Sequence, residues 1–463
     1  MANQATRKST GLSPMALLVL GGMLFSMFFG AGNLILPPLL GLQAGSEAVP
    51  ATIGFLIAGI GLPILGIIAV ALCGNAHTLI GRVNPRFAAV FIALVYLTIG
   101  PFLAIPRTSS TAFEMLAPLM GDAGNSMVTV VIFSVVFFAI AFALALKPGL
   151  LSRILGKVTA PALIVLILIV VGASLFAGPY EVAPAQAPYT GQALTQGFLN
   201  GYQTMDLLAA FCFGIVVAAN VREQGVTEEG ATAKAICIAG LIAGVLMVAI
   251  YCGLSFVGAT AATVVPGATN GAEILAAQAH AHFGLAGSII IAVIFLLACL
   301  NVCTGLISCC SEYFAERFTR IPLPAWAAIF AVFSCCVSLV GLDTILAFSA
   351  PLLGVLYPPA IVLVIMGMLH KLFDKAPRTW QWVVIAVTVY SVLSGLCGVV
   401  TPQVDVVSSI PMFGNALVSF FGWLNEVLGV LPFADLGLGW VLVAGVALVI
   451  GLVHSQIDKR LKA

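Results

Sequence analysis

Two residues of opposite charge lie within apolar stretches of this 463-residue chain: Arg107 in GPFLAIPRTSSTAFE and Asp206 in NGYQTMDLLAAFCFGIVVAAN. An arginine in the bilayer interior costs about 2.5–3.5 kcal/mol even on a lenient insertion scale, so it needs a partner or a watery cavity. Two readings follow from the residues alone. Arg107 and Asp206 either flank a path for a polar solute or form a structural ion pair holding their two segments together. Glu114, seven residues beyond Arg107 on the same helical face, is the alternative partner. The apolar stretches hold no histidine in their interiors, no H-E-x-x-H and no carboxylate cluster, so the chemistry of a membrane enzyme is not encoded here.

A second feature concerns the backbone. FFGAGNLILPP, from Phe28 to Pro38, places two glycines, an asparagine and two prolines inside an apolar run. Glycine costs about 1 kcal/mol and proline about 3 kcal/mol in a helix interior. A broken helix in lipid leaves N–H and C=O groups unpaired, and survives only where it is buried in protein or lines a cavity. Asn200–Asn220 repeats the pattern, with Gly201, Gly214, Asp206 in mid-run and a Phe-Cys-Phe-Gly echo of Phe-Phe-Gly. Close packing through small residues is the simpler account of either segment alone. Together they predict two discontinuous helices, in which the backbone breaks in order to bind a ligand.

The elements that must position these residues are apolar helices. Hydrophobic residues make up 61% of the chain and charged residues 8%, with a mean hydropathy of +1.17, too little charge for a soluble surface of this size. Apolar windows give about twelve spans, near 15–40, 49–74, 87–117, 127–146, 158–177, 197–219, 233–258, 285–310, 324–341, 344–369, 380–400 and 436–454. Alternate loops carry 17 of the 18 basic residues, Arg107 being the exception, and the opposite loops carry none. The positive-inside rule then places both termini in the cytoplasm. The basic start, MANQATRKST, reads as a cytoplasmic tail and not as a cleaved signal. The eleven cysteines lie mostly in apolar runs without C-x-x-C spacing and read as small hydrophobes.

The expected organisation is therefore a tail (1–14), a first five-helix unit (15–177), a second five-helix unit (197–369), two further helices (380–454) and a tail (455–463). Five is odd, so the second unit is inverted relative to the first. Interrupted helices at matching positions of inverted halves point to a secondary transporter with its site near the midplane. A channel would show a filter loop or charged rings instead.

The motifs FFGAGNLILPPLLGLQAG, IGPFLAIPRTSSTAFE, NGYQTMD with its following FG, ACL…GLISCCSEYF and LYPPAI occur in order over about residues 14–370. In this respect the chain resembles the BrnQ-type branched-chain amino acid:cation symporters. The resemblance implies a leucine-transporter-like fold and sodium-coupled import of leucine, isoleucine and valine, with no cofactor. It implies a small-molecule substrate and membrane lipid as partners, no nucleic acid, and location in a prokaryotic plasma membrane. Carried over by position, it places the unwound Phe28–Asn33 and the Asp206–Gly214 region around the charged ends of the amino acid. The substrate would then meet Phe28, Gly30, Ala31, Gly32, Asn33, Leu103, Arg107, Asp206, Leu207, Phe211 and Phe213. Sodium would be held by Phe28 and Ala31 with Asn301 and Thr304. Related carriers tend to have threonine at the positions filled here by Asn301 and Val302, so proton coupling through Asp206 stays open. So does a substrate of another kind, a different neutral amino acid or a nucleobase.

Overall fold

The computed structural model describes residues 12–146, 161, 164–165, 167–176, 181–226, 228–401 and 414–462. Among these residues there is no β-strand. Helices α1 (Pro14–Phe28) and α2 (Ala31–Ala44) replace the single first span. A short turn leads into α3 (Ala48–Leu56), which continues through a widened turn at Ile57–Gly61 into α4 (Leu62–Leu72). Helix α5 (Ala76–Gly81) is a short connector, and α6 (Pro85–Leu97) and α7 (Ala104–Leu116) flank a second break. Then come α8 (Met127–Ala145) and α9 (Ile167–Phe176). The next span is again divided, into α10 (Ala193–Gly201) and α11 (Asp206–Glu223).

Helix α12 (Glu229–Ala259) is followed by α13 (Gly271–Arg317), bent at Gly284, whose φ of 61° is one that favours glycine. The chain continues through α14 (Leu323–Ser338), α15 (Leu342–Met368), α16 (His370–Phe373), α17 (Arg378–Val400), α18 (Gly414–Gly429) and α19 (Trp440–Lys462). Eight helical stretches among the described residues are long and apolar enough to cross a membrane, with α1, α9 and α14 as shorter apolar helices. The last helix runs to Lys462, so most of the tail expected at 455–463 is helical. Most of the N-terminal tail and the basic residues Lys147, Arg153 and Lys157 lie outside the described residues.

Lipid offers no hydrophobic drive for one helix to meet another, so association relies on close packing. Helices α3 and α10 touch through a reciprocal pair. A Cβ on Gly54 would collide with the Leu194 carbonyl, and one on Gly197 with that of Ala51. Helix α2 meets α12 in the same way, through Gly41 against the Ser255 carbonyl and Gly258 against that of Pro38. Thr52 and Ser255 add a 2.7 Å hydroxyl contact between α3 and α12, and Tyr251 lies edge-on to Phe55 at 5.3 Å. These contacts fix α2 and α10, the helices that follow and precede the two expected breaks.

Candidate functional site

The first break is narrower than Phe28–Asn33. Only Phe29 (ψ 89°) and Gly30 (φ −111°, ψ −176°) leave helical geometry, and Ala31, Gly32 and Asn33 form the first turn of α2. The last carbonyls of α1 and the first N–H groups of α2 therefore meet at one point, presenting a negative and a positive helix end side by side. Pro37 and Pro38 lie inside α2 and have no N–H, so they deprive the Asn33 and Leu34 carbonyls of their intrahelical donors.

The sixth-span break lies just before the Asp206–Gly214 region, within Asn200–Asn220. Tyr202–Thr204 form a tight turn and Met205 adopts a left-handed conformation (φ 63°), after which Asp206–Glu223 is continuous helix. Asp206 is thus the first residue of α11, and Gly214 sits within that helix against Val70. The unwound segment precedes Asp206 instead of following it. Thr204 fastens the turn, its hydroxyl donating to the Gly201 carbonyl (3.0 Å) and accepting from the Asp206 N–H (3.4 Å).

A third break was not expected. Span three loosens at Thr98–Phe102, where Gly100 leaves helical geometry (ψ −122°) and Pro101 follows. Leu103 is also off-helix (φ −127°), and α7 restarts at Ala104. A Cβ on Gly100 would press on Cys310 Sγ at 2.7 Å, so α13 approaches the backbone at the break. As a result Arg107 lies in the first turn of α7, close to that helix's N-terminus.

The three breaks converge on a cavity of about 60 Å³. Of the residues expected to bind substrate, Phe28, Gly30, Ala31, Gly32 and Asn33 line it, as do Arg107, Asp206 and Phe213. Sequence reasoning missed Met27, Ile99, Ala104, Thr108, Thr204 and Met205, together with Ala209, Val302 and Leu306. The cavity thus has one side-chain cation and one side-chain carboxylate in a mainly apolar wall.

Asn33 organises the polar side. Its amide nitrogen donates to Asp206 Oδ2 (2.7 Å) and to the Tyr251 hydroxyl (2.6 Å), so α2, α11 and α12 share one buried node. Arg107, only 4% exposed, forms no ion pair with Asp206 or Glu114. Its Nη1 donates instead to the Gln203 carbonyl (2.7 Å), one of the groups freed by the sixth-span break. Of the two readings open from the sequence, the direct ion pair is not formed, and two separate anchors take its place. Each charge keeps its own neutral partner, and both border the same cavity.

The chain matches the family model described as branched-chain amino acid transport protein over residues 13–458. It belongs to that family. It is 37% identical to the branched-chain amino acid transport system 2 carrier protein of Pseudomonas aeruginosa, over 97% of this chain and 98% of that relative. It is 36% identical to the branched-chain amino acid permease BraB of Bacillus subtilis, over 94% of each. Among solved structures, the inward-facing conformation of Mhp1 matches with a TM-score of 0.59 at 15% identity, covering 99% of this chain and 94% of that one. MhsT in complex with L-phenylalanine matches at 0.50 and 14% identity, covering 96% and 99%. The fold is the leucine-transporter type, and the family is one of multi-pass membrane transport proteins, not enzymes.

Within this family member, the remaining expected site residues are not brought to the cavity. Leu207 and Phe211 are buried in an apolar cluster, where Phe211 meets Phe91 edge-on at 6.3 Å, and Leu103 belongs to that cluster as well. Helix phase explains the division. Asp206, Ala209 and Phe213 share one face of α11, whereas Leu207 and Phe211 share another. Phe213 faces Phe28 across the cavity at 6.1 Å. The expected sodium set divides in the same manner. Phe28 and Ala31 line the cavity, but from α13 it is Val302 and Leu306 that do so, not Asn301 or Thr304. The Thr304 hydroxyl donates to the Leu300 carbonyl of its own helix at 2.7 Å.

Proposed function

We propose that this protein imports branched-chain amino acids across a bacterial plasma membrane, with both termini in the cytoplasm, driven by the inward movement of a cation. The observation that carries the reading is the cavity at the three helix breaks. An amino acid zwitterion with an aliphatic side chain needs an anion-favouring and a cation-favouring end close together, beside a dry wall. The N-termini of α2 and α7 and the Arg107 guanidinium suit the carboxylate, while the α1 C-terminus and Asp206 suit the ammonium. Met27, Ile99, Phe213, Val302 and Leu306 supply the wall. Such a wall separates aliphatic side chains by only about 1–3 kcal/mol per methylene. Leucine, isoleucine and valine therefore share the carrier, and alanine is disfavoured.

Sodium is the coupling ion of this reading. One monovalent cation moving through about 100 mV releases roughly 2.3 kcal/mol, and a tenfold gradient adds about 1.4 kcal/mol. Their sum, about 3.7 kcal/mol, supports roughly 500-fold accumulation of a zwitterion at one-to-one coupling. A second reading, proton coupling, draws on a specific observation: Asp206 borders the cavity while Asn301 and Thr304 do not. The test is uptake of labelled isoleucine into proteoliposomes with unlabelled competitors. Leucine and valine should compete strongly, alanine weakly and uracil not at all. Competition by uracil, or indifference to leucine, would reject the substrate class.

A further inference from the structure

A second, larger and partly open cavity of about 500 Å³ lies behind the Tyr202–Gln203 turn, lined by α10, α15, α17 and the start of α19. Its size is within the range of small-molecule sites, roughly 300–1,000 Å³. No Asp, Glu, Lys, Arg or His lines it. Its wall combines the rings of Tyr202, Tyr390 and Trp440 with the amides of Gln43 and Gln196. Ser391 also lines it through its backbone side, its hydroxyl being buried away from the open space.

We infer that this cavity is a regulatory site for an uncharged aromatic amide, distinct from the transport site. The wall composition selects that class. A zwitterion or carboxylate would lose its hydration with no ionic partner in return. A lipid chain would leave the Gln43 and Gln196 amides facing hydrocarbon, where polar groups lose their hydration without return. A flat ring suits the aromatic walls. A primary amide supplies both the donor and the acceptor that a glutamine amide can match.

The cavity's position gives occupancy a consequence. Tyr202 and Gln203 line it, and Gln203 is held between the two sites. Its carbonyl accepts from Arg107 at the transport cavity, while its side chain bonds to Ser349 and to the Leu346 carbonyl of α15. A ligand that binds more tightly to this arrangement of the turn than to another shifts the population toward it. The inference goes beyond the proposed function and needs no assumption about the transported solute.

The test is isothermal titration calorimetry on the full chain in lipid nanodiscs, with indole-3-acetamide as probe and indole-3-acetate as its charged counterpart. Gly354 and Gly398 line the cavity from opposite helices, and a Cβ on either would meet nothing within 4 Å. Gly354→Leu and Gly398→Leu therefore fill it without a clash at the Cβ. The expected result is saturable one-to-one binding of the amide, at least tenfold weaker binding of the acetate, and at least tenfold weakening by either leucine. Val302→Phe, which fills the transport cavity, should still leave saturable one-to-one binding of the amide, because the two cavities are separate. No saturable binding of the amide overturns the inference. Equal binding of the acetate, or loss with Val302→Phe but not with the leucine variants, does so as well.

Discussion

Gly32→Ala separates the steric logic of the first break from a general intolerance of substitution there. A Cβ on Gly32 would occupy the place of the Arg107 guanidinium, with Cζ only 2.7 Å away and the two terminal nitrogens around it. The alanine therefore displaces the guanidinium, and Arg107 loses its 2.7 Å bond to the Gln203 carbonyl. A hydrogen bond to a charged group contributes about 1.5–3 kcal/mol. At about 1.4 kcal/mol per factor of ten, isoleucine uptake should fall roughly ten- to a hundredfold. Gly30→Ala is the control. Its Cβ would come no closer than 3.8 Å to any neighbour, and its φ of −111° is open to alanine, so Arg107 keeps its bond to Gln203 and uptake should fall less than with Gly32→Ala. The assay is the initial rate in proteoliposomes, normalised to folded protein by size-exclusion chromatography. Arg107→Lys removes the colliding group, so Gly32→Ala added to it should cost little more, a non-additivity expected of residues in contact. Equal damage from the two alanines, or full additivity with Arg107→Lys, would refute the collision as the cause.

Three further outcomes follow from the site. Tyr251→Phe removes one of the two acceptors of the Asn33 amide, worth about 0.5–1.5 kcal/mol, and should weaken isoleucine uptake about two- to tenfold at normal folded yield. An unchanged KM would mean that Asn33 does not depend on α12. Asp206→Asn keeps the side-chain volume but removes the charge, and gradient-driven accumulation should fall more than about tenfold in protein that still elutes as a folded monodisperse species. Full accumulation in that variant would contradict a role for Asp206 in binding or coupling. Thr304→Val should leave sodium dependence within about twofold of the parent, because Thr304 does not line the cavity. A large loss of sodium affinity there would return α13 to the ion site.

The broken first helix was legible because Gly30, Gly32, Pro37 and Pro38 all act against helix within one apolar run. Its extent was not, since Ala31–Asn33 regain helical geometry as soon as α2 begins. In the sixth span the resemblance pointed to the Asp206–Gly214 region, which the structure shows as continuous helix. In the structure the left-handed residue is Met205, a type with no special preference for that conformation, held by the tertiary setting of Tyr202–Thr204. Helix phase was available in the sequence and went unused. Residues two apart lie on nearly opposite sides of a helix, so Phe211 and Phe213 could not both face one cavity. The same phase argument brings Val302 and Leu306, four apart, to the cavity ahead of Thr304. The partners of Arg107 and Asn33 were beyond sequence reasoning, because Gln203 offers a backbone carbonyl and Tyr251 lies in a span whose pattern is uniformly apolar.

The central claim, cation-driven transport of a branched-chain amino acid, meets its most direct test in proteoliposomes loaded with potassium buffer. Labelled isoleucine would be followed under an inward sodium gradient and under an equal potassium gradient, at fixed pH and membrane potential. The account predicts accumulation well above the external concentration with sodium and mere equilibration without it. Accumulation that ignores sodium but follows an imposed pH gradient would transfer the coupling to a proton and to Asp206. Folded protein that accumulates isoleucine under neither gradient would contradict the account.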